Sequence, residues 1–355
     1  MSNLRNAIGV VLVGIGRMGK NHLRVIRQDP RFRLQAIVDS YAAPPEPIGE
    51  TRFFRSVDEL DDVDYDCAIV VTPSSTHFEV ASRFIERGKH LLVEKPLATT
   101  FDRSRRLMRA CQEKRLHLAV GHVERFNPAV RKLHEVIKGG WIGTPIHFSL
   151  TRVGGYPESL LEGNNVLLDL AVHDLDILRS IVGPLKLHAS VCHATIQDGV
   201  CDTAEILLSS ANGQSATVHV NWITPTKIRN MRVTGTHGVC FIDYILQTCT
   251  VVGGNLLKAA APASAGFEQL VEMYKNTDRI EFGVRKDEPL KAQLDQLHEL
   301  LAKGDAGELC LGPDAAAAVR LAELALQHGQ TPTQAWKRPG SCPPLEEARN
   351  DDDWI

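Results

Sequence analysis

The chain has 355 residues, a length that suits two domains. Its apolar fraction of 43% and charged fraction of 23% are ordinary for a globular protein, and the net charge of −3 gives no electrostatic basis for binding nucleic acid or an anionic membrane. The eight cysteines form no Cys-x-x-Cys pair, and no apolar run approaches membrane-spanning length. We therefore expect a cytoplasmic protein with reduced cysteines, no metal site, and no affinity for nucleic acid or membrane.

The first predicted strand, Val10–Val13, leads through a glycine-rich turn into a predicted helix, 20–28. In a Gly-x-Gly-x-x-Gly turn at such a junction, the first glycine makes the tight turn and the second lets a pyrophosphate approach the backbone. The third glycine lets the helix pack closely on the strand. The turn predicts a dinucleotide site, with an ordinary βα turn as the alternative. Its residues are Gly14, Ile15, Gly16, Arg17, Met18 and Gly19.

The second predicted strand, Leu34–Val38, ends in Asp39. A carboxylate there would accept a hydrogen bond from a ribose 2′-hydroxyl and would repel the 2′-phosphate of NADP. The sequence therefore favours NAD over NADP, although Arg52 or Arg55 could reach the site from the following loop.

Strand and helix signals alternate to about residue 123, which predicts a parallel sheet covered by helices. Ligands bind such sheets at the carboxyl ends of the strands. The remaining residues predicted to bind the cofactor follow those ends, and they are Thr72, Pro73, Ser74, His77, Glu94, Lys95 and His122.

Beyond about residue 140, successive strand signals separated by turn residues predict a largely antiparallel sheet, interrupted by a helix over 165–182. We expect a dinucleotide domain at 1–123, a substrate and oligomerisation domain at 124–330, and a tail at 331–355 that wraps the surface or is disordered.

Two side chains on the interrupting helix could carry acid/base chemistry. Asp169 and His173 are four residues apart, so an α-helix would place them on one face, where the carboxylate could orient the imidazole and raise its basicity. The alternative is a local ion pair on the helix surface. Lys95, after a predicted strand end, could stabilise an alkoxide, or it could be an ordinary surface lysine.

Four ordered motifs resemble the glucose–fructose oxidoreductase/inositol dehydrogenase (Gfo/Idh/MocA) family over about residues 5–328. They are Gly14-x-Gly16-x-x-Gly19-x-x-His22, Thr72-Pro73-x-x-x-His77, Glu94-Lys95-Pro96 and Asp169-x-x-x-His173-x-x-Asp176.

This resemblance implies an α/β architecture, with an N-terminal Rossmann domain and a C-terminal α/β domain whose open, mostly antiparallel sheet often mediates homodimers or homotetramers. It also implies reversible oxidation of a secondary alcohol on a sugar-like ring by NAD or NADP. By the same resemblance Lys95 contacts the reacting hydroxyl, His173 is the acid/base, and Asp169 lies beside it.

The segment Gly121-His122-Val123-Glu124-Arg125-Phe126-Asn127-Pro128 resembles the nucleotide-sugar dehydrogenases of the family, including UDP-N-acetylglucosamine 3-dehydrogenases. Arg125 and Arg152 then become candidates to hold a sugar or its diphosphate, since a guanidinium matches phosphate geometry. The alternative is that each arginine pairs with Glu124 or another acid. Asn164 and Asn165 are candidate substrate contacts, and Ala171 stands where the family often has glycine.

The sequence thus predicts an NAD-dependent dehydrogenase of a sugar or nucleotide sugar, with a UDP-N-acetyl-hexosamine oxidised to a 3-keto product as the first choice. A free polyol or simple-sugar dehydrogenase and a non-catalytic dinucleotide sensor are the alternatives.

Overall fold

The computed structural model describes residues 7–44, 49–155, 164–253 and 278–329. The predicted tail at 331–355 lies outside the described residues.

The first half of the chain forms a parallel sheet with helices on both faces. Its strands are β1 (Ile8–Val13), β2 (Phe32–Val38), β3 (Arg52–Phe54), β4 (Cys67–Val70), β5 (His90–Glu94) and β6 (Leu118–Gly121). Its helices are α1 (Arg17–Gln28), α2 (His77–Glu86) and α3 (Phe101–Glu113). The strand order is β6-β5-β4-β1-β2-β3, all parallel, with a late strand added beside β6. This order is that of a Rossmann domain, and it confirms the predicted fold of this half.

The continuous apolar run in β1 explains why that strand is central. Val10, Val11 and Leu12 are completely buried, because helices cover both faces of the sheet and every side chain of the strand meets a core.

The second half contributes helices α4 (Pro128–Lys138) and α5 (Val172–Val182) and a second sheet. The strands of that sheet are β7 (Pro145–Val153), β8 (Leu185–His193), β9 (Thr203–Ser210), β10 (Ser215–Asn221), β11 (Ile228–Gly235), β12 (Gly238–Asp243), β13 (Thr248–Gly253) and β14 (Asp278–Phe282). Their order is β14-β13-β12-β11-β7-β10-β9-β8, and only the β7–β10 pairing is parallel. The predicted mostly antiparallel sheet is confirmed.

One face of this sheet carries the core, and the other face is open. Along β9, Ile206 and Leu208 are buried against the helices, whereas Glu205 and Leu207 on the opposite face are exposed. A period of two in burial is expected when helices cover only one face of a sheet.

The last described elements are α6 (Pro289–Lys303), β15 (Cys310–Leu311) and α7 (Gly312–Gly329). Helix α6 packs Leu294 and Leu297 into the core on one face of the first sheet, and β15 pairs antiparallel with β6. Helix α7 packs against both α3 and β8. The boundaries predicted at 1–123 and 124–330 stay a prediction, but α6 and β15 lie with the first sheet.

The seven described cysteines are free, and six of them are buried. They are the small core residues that the sequence predicted, while Cys342 lies outside the described residues. None of the helices within the described ranges is both long enough and apolar enough to span a bilayer.

Candidate active site

The glycine turn between β1 and α1 leaves room for a phosphate. Gly14 has φ of +92°, and a Cβ on it would lie 2.6 Å from the Val71 carbonyl oxygen. A Cβ on Gly19 would lie 2.1 Å from the Gly14 oxygen, so this glycine sets how closely the helix packs on the strand. A Cβ on Gly16 would meet none of the described atoms within 4 Å. The cradle therefore fits a pyrophosphate, which would approach the exposed Gly16 at the start of α1.

Asp39 at the end of β2 is held as an ionised carboxylate. Its Oδ2 accepts a hydrogen bond from the Ile15 amide at 2.8 Å, and its Oδ1 accepts from the Tyr41 and Ala42 amides at 2.8 and 2.7 Å. Burial acts to raise the pKa of Asp39, but these three backbone hydrogen bonds and the Arg55 charge outweigh it and lower that pKa. The partly exposed carboxylate fits a ribose diol, which agrees with NAD.

Neither of the arginines that could have recruited NADP extends freely beside Asp39. Arg55 donates to the carbonyl oxygens of Asp39 and Ala42, at 3.2 and 2.9 Å, and stacks on Phe53. Arg52 stacks on Phe54.

Several side chains predicted to bind the cofactor lie beneath the cofactor edge instead. Glu94 is 8% exposed, with His22 Nε2 2.9 Å from Oε1 and the Lys95 amide 3.2 Å from Oε2. His77 is 1% exposed, and its ring nitrogens lie 2.8 Å from the carbonyl oxygens of Pro96 and Thr72. These buried groups position the loops that carry Thr72 and Lys95, which corrects the expectation of direct contact. For Glu94, the last residue of β5, the physical reason is that alternate side chains at a strand end point into the core rather than the crevice. His77 is the first residue of α2 and is buried at the start of that helix.

The other predicted cofactor residues lie at the expected edge. Arg17 is exposed, Met18 is partly exposed, and Ile15 is buried with its amide bound to Asp39. In the loop after β4, Pro73 is exposed, and Thr72 and Ser74 are partly exposed, with the Thr72 hydroxyl 2.8 Å from the Thr76 hydroxyl.

Lys95 and Asp169 meet across the two domains. Lys95 Nζ lies 2.8 Å from the Asp169 carbonyl oxygen and 3.0 Å from its Oδ1, and the Trp222 indole donates to Oδ2 at 3.1 Å. Burial acts to raise the pKa of Asp169, but the Lys95 charge and these hydrogen bonds outweigh it and lower that pKa. An ionised Asp169 thus fixes an ammonium group at the carboxyl end of β5.

The expectation that Asp169 orients His173 needs a correction. Residues Leu167–Ala171 form a π-helical turn, in which the backbone bonds i to i+5, and α5 begins only at Val172. The wider turn removes the i, i+4 alignment of an α-helix. The Asp169 carboxylate accepts hydrogen bonds from Lys95 and Trp222, and His173 Nδ1 is buried with no partner among the described residues.

His173 is nevertheless poised as a neutral imidazole. Burial, together with the nearby positive charges of Lys95, Arg152 and Arg229, holds the pKa of His173 well below its usual value. The residue as a whole is partly exposed while Nδ1 is not. The neutral ring can accept a proton at Nε2 near neutral pH.

His122 packs beneath that ring instead of facing the cofactor crevice. The two imidazoles meet edge to face with centroids 6.3 Å apart, and His122 is 1% exposed. Neither ring nitrogen of His122 has a hydrogen-bond partner in the described part of the chain. Burial lowers the pKa of His122, so it also is neutral.

His122, Asp176 and Cys310 form a buried group whose ligand atoms all lie within 4.8 Å of one another. Arg125, however, donates to both Asp176 oxygens, at 2.7 and 2.6 Å, and burial holds the pKa of the Cys310 thiol well above its usual value. A guanidinium on the carboxylate and a protonated thiol disfavour a cation, so we interpret this group as an ion-pair core.

The two arginines expected to hold substrate are engaged with acids. Besides Asp176, Arg125 contacts Asp314 at 3.4 Å. Arg152 is 1% exposed and donates to both Asp174 oxygens and to Glu124, each at 3.0 Å. These contacts are those of the structural alternative, in which the guanidinium groups neutralise buried carboxylates.

Of the two asparagines expected to contact substrate, one has a structural role. Asn165, 8% exposed, accepts hydrogen bonds from the Leu167 and Leu168 amides and so caps the π-helical turn. Asn164 is partly exposed and remains a candidate substrate contact.

Sequence reasoning did not identify Trp222 or Arg229 as site residues. Trp222 directly follows β10 and donates to Asp169, and the charge of Arg229 in β11 acts on both Asp169 and His173. The available signal was their place at the ends of β10 and β11, the two strands that flank β7, which becomes informative only when the strand order is known.

Two family models match the chain. The N-terminal model, an oxidoreductase family with an NAD-binding Rossmann fold, matches residues 8–122, and the GFO/IDH/MocA C-terminal domain model matches residues 130–240.

The chain is 26% identical over 240 residues to the UDP-N-acetylglucosamine 3-dehydrogenase of Acidithiobacillus ferrooxidans, covering 67% of this chain and 74% of that protein. It is 27% identical over 256 residues to the NAD(+)-dependent scyllo-inositol 2-dehydrogenase of Bacillus subtilis, covering 67% and 75%. Across these curated relatives and six others, the match spans 65% to 77% of the relative's length.

A solved structure of the Acidithiobacillus ferrooxidans enzyme superposes with a TM-score of 0.74 at 22% identity, covering 91% of this chain and 97% of that one. At this identity the superposition shows a shared fold.

Proposed function

The chain belongs to the GFO/IDH/MocA family of NAD-binding oxidoreductases, and we propose that it oxidises a ring hydroxyl of a nucleotide sugar. The first choice of substrate is a UDP-N-acetyl-hexosamine, oxidised to its 3-keto product. The arrangement of Lys95 between the NAD-binding edge and Asp169 carries the proposal, because it fixes a cation where a hydroxyl could meet both domains.

In the proposed reaction, NAD supplies the acceptor for the hydride that leaves the carbinol carbon. The hydroxyl proton passes to Nε2 of neutral His173, and the oxygen becomes a carbonyl. Lys95 donates a hydrogen bond to that oxygen and stabilises the negative charge that develops on it. Asp169 keeps Lys95 in place, so it acts as a positioning residue.

The curated relatives act on two classes of substrate that are relevant to this proposal. They include a UDP-N-acetylglucosamine 3-dehydrogenase and inositol dehydrogenases at comparable identity, so both a nucleotide sugar and a polyol are represented. The segment at 121–128 favours the nucleotide sugar. A dinucleotide sensor would need no acid/base set, so Lys95 and His173 favour an enzyme.

NADH formation tests the proposal directly. Purified protein is supplied with NAD or NADP and with UDP-N-acetylglucosamine, myo-inositol or free sugars, and NADH absorbance is followed. Turnover with the UDP sugar and NAD is the expected result. Turnover with myo-inositol alone would favour the polyol dehydrogenase, and NADH binding without turnover of any alcohol would favour the sensor.

Two variants test the catalytic roles. His173→Gln should slow hydride transfer in single-turnover experiments by about 10²- to 10⁴-fold, the usual contribution of general acid/base catalysis. Lys95→Ala should slow it by about 10²- to 10³-fold. His173→Gln should bind NADH as the wild type does, and an unchanged rate of hydride transfer in either variant would contradict the role assigned to that residue.

We also propose that the open face of the second sheet forms a homodimer or homotetramer interface. Leu207, Ile228 and Phe241 expose 42%, 42% and 44% of their surface on this face, and apolar groups there would be covered by a second copy.

We further propose a cytoplasmic location, since free thiols persist in a reducing compartment.

A further inference from the structure

Strand β11 carries a cation on the same side as the candidate site. Arg229 pairs directly with Arg152 of β7 in the antiparallel register, so the two side chains share one face of the sheet. Met231 and Val233, at the following alternate positions, are buried in the core. Arg229 therefore faces the helices and the catalytic residues. Like charges directly opposite each other repel, so each guanidinium requires compensation.

Within the described structure, only one of the two arginines is hydrogen-bonded directly to acidic side chains. Arg152 donates to Asp174 and Glu124, as stated above. The Arg229 guanidinium makes no hydrogen bond or ion pair with any residue in the described ranges, and its Nε is completely buried. Burial and the neighbouring Arg152 charge lower the pKa of Arg229, and they outweigh the charges of Glu124, Asp174 and Asp169, which act in the opposite direction without bonding to it. A buried donor without an acceptor is unfavourable, so a ligand that satisfies it gains binding energy.

The position of Arg229 relates this donor to the reaction. Its charge lowers the pKa of both Asp169 and His173, which places it within electrostatic range of the two catalytic-site groups. Lys227, two residues earlier, packs its side chain over Gly155, where an added Cβ would lie 2.9 Å from Cε. Lys227 likewise has no acidic partner among the described residues, so positive charge borders this side of the site.

We infer that Arg229 binds an oxyanion of the substrate, either a phosphate or a carboxylate, close to the carbon that is oxidised. The inference rests on the proposed function and narrows its substrate to an anionic sugar. A guanidinium is planar, always charged and weakly hydrated, and its donors match the oxygens of a phosphate or carboxylate. A neutral polyol would leave the Arg229 donors without an anionic acceptor. Arg125 and Arg152 cannot take this role without giving up buried acids.

Equilibrium titration of the enzyme–NADH complex tests this inference without requiring turnover. UDP-N-acetylglucosamine, glucuronate and myo-inositol are titrated by calorimetry into the wild type, Arg229→Gln, Arg229→Lys and Arg232→Gln. Arg232 is the matched control, because it removes the same charge from the same strand but lies exposed on the open face of the sheet.

Arg229→Gln should weaken binding of an anionic ligand by about 10- to 100-fold, the loss expected for a charge-assisted hydrogen bond. Arg229→Lys should lose less, and Arg232→Gln should bind as the wild type does. A loss confined to UDP-N-acetylglucosamine identifies a phosphate, and a loss confined to glucuronate identifies a carboxylate. Myo-inositol binding should not change.

The inference is overturned if folded Arg229→Gln binds both anions as tightly as the wild type, or if the wild type binds neither. Its failure is distinguishable from that of the proposed function. If the wild type oxidises myo-inositol and Arg229→Gln does so equally well, the protein is a dehydrogenase and the oxyanion site is refuted. If the protein binds anions through Arg229 but oxidises no alcohol, the oxyanion site is supported and the proposed dehydrogenase activity is refuted.

Discussion

Lys95 of the first domain reaches Asp169 of the second, with Nζ 2.8 Å from the main-chain oxygen and 3.0 Å from the carboxylate of the same residue. An acceptor pair from one residue restricts the ammonium in direction as well as distance. The interaction therefore joins the NAD-binding edge to the helix that carries His173.

Asp169→Asn should separate this positioning role from cofactor binding. The amide loses the negative charge that holds Lys95, so hydride transfer should fall by about 10²-fold, the cost of a small displacement of a reacting group. NADH affinity should not change. Trp222→Phe is the matched variant, because it removes only the indole donor to Asp169 and should reduce the rate by less than about tenfold. Single-turnover kinetics and NADH titration measure both, and an equal loss of NADH affinity in Asp169→Asn would contradict the assignment.

Alanine at two glycines of the β1–α1 turn should affect two different properties, NADH affinity at one position and the stability of the fold at the other. Gly16→Ala meets no described atom within 4 Å, so thermal stability should be unchanged while NADH affinity falls, because the methyl group occupies the approach of the pyrophosphate. Gly19→Ala places a methyl group 2.1 Å from the Gly14 oxygen, so it should destabilise the fold by about 1–3 kcal/mol. Thermal unfolding and fluorescence titration with NADH distinguish the two. Normal NADH affinity in Gly16→Ala would remove the assigned phosphate position.

The free energy of unfolding should fall as the pH drops below about 6.5. Burial lowers the folded-state pKa of His77, His122 and His173, so the unfolded chain takes up protons first as the pH decreases. Each histidine contributes up to about 1.4 kcal/mol per pH unit, and the effect is absent above the unfolded pKa.

Urea denaturation between about pH 7.5 and about pH 5.5 measures this dependence. His122→Asn, which cannot titrate, should reduce the slope. A protein that becomes more stable as the pH falls through this window would show that these imidazoles are charged in the folded state.

A charge on the open sheet face should dissociate the proposed oligomer. Phe241→Asp places a carboxylate among exposed apolar groups, and burying it against a second copy would be unfavourable. Light scattering should then give the monomer mass of 39.1 kDa. Tyr41→Asp is the control, since Tyr41 is 97% exposed and lies on the first domain. A wild-type protein that is already monomeric would refute the interface.

Local patterns in the sequence were sufficient for the fold and for the cofactor edge. The buried run of β1, the three glycines and Asp39 each follow from rules that act within a few residues, and the structure places them together at the β1–α1 turn and the end of β2. The alternation of strands and helices identified the first sheet, and the successive strand signals separated by turn residues identified the second. The predicted end of the interrupting helix at residue 182 agrees with the end of α5 at Val182, because Gly183 follows as a clear stop residue.

Only the tertiary structure decided how charged side chains are partnered. Arg152 and Arg229 are indistinguishable as sequence letters, yet one is bound to two carboxylates and the other has no described partner, because pairing depends on which strands are neighbours. The spacing of Asp169 and His173 predicted a shared helix face, but a π-helical turn redirected Asp169 toward Lys95. Sequence determines which groups are available, whereas packing across elements far apart in the chain determines which of them meet.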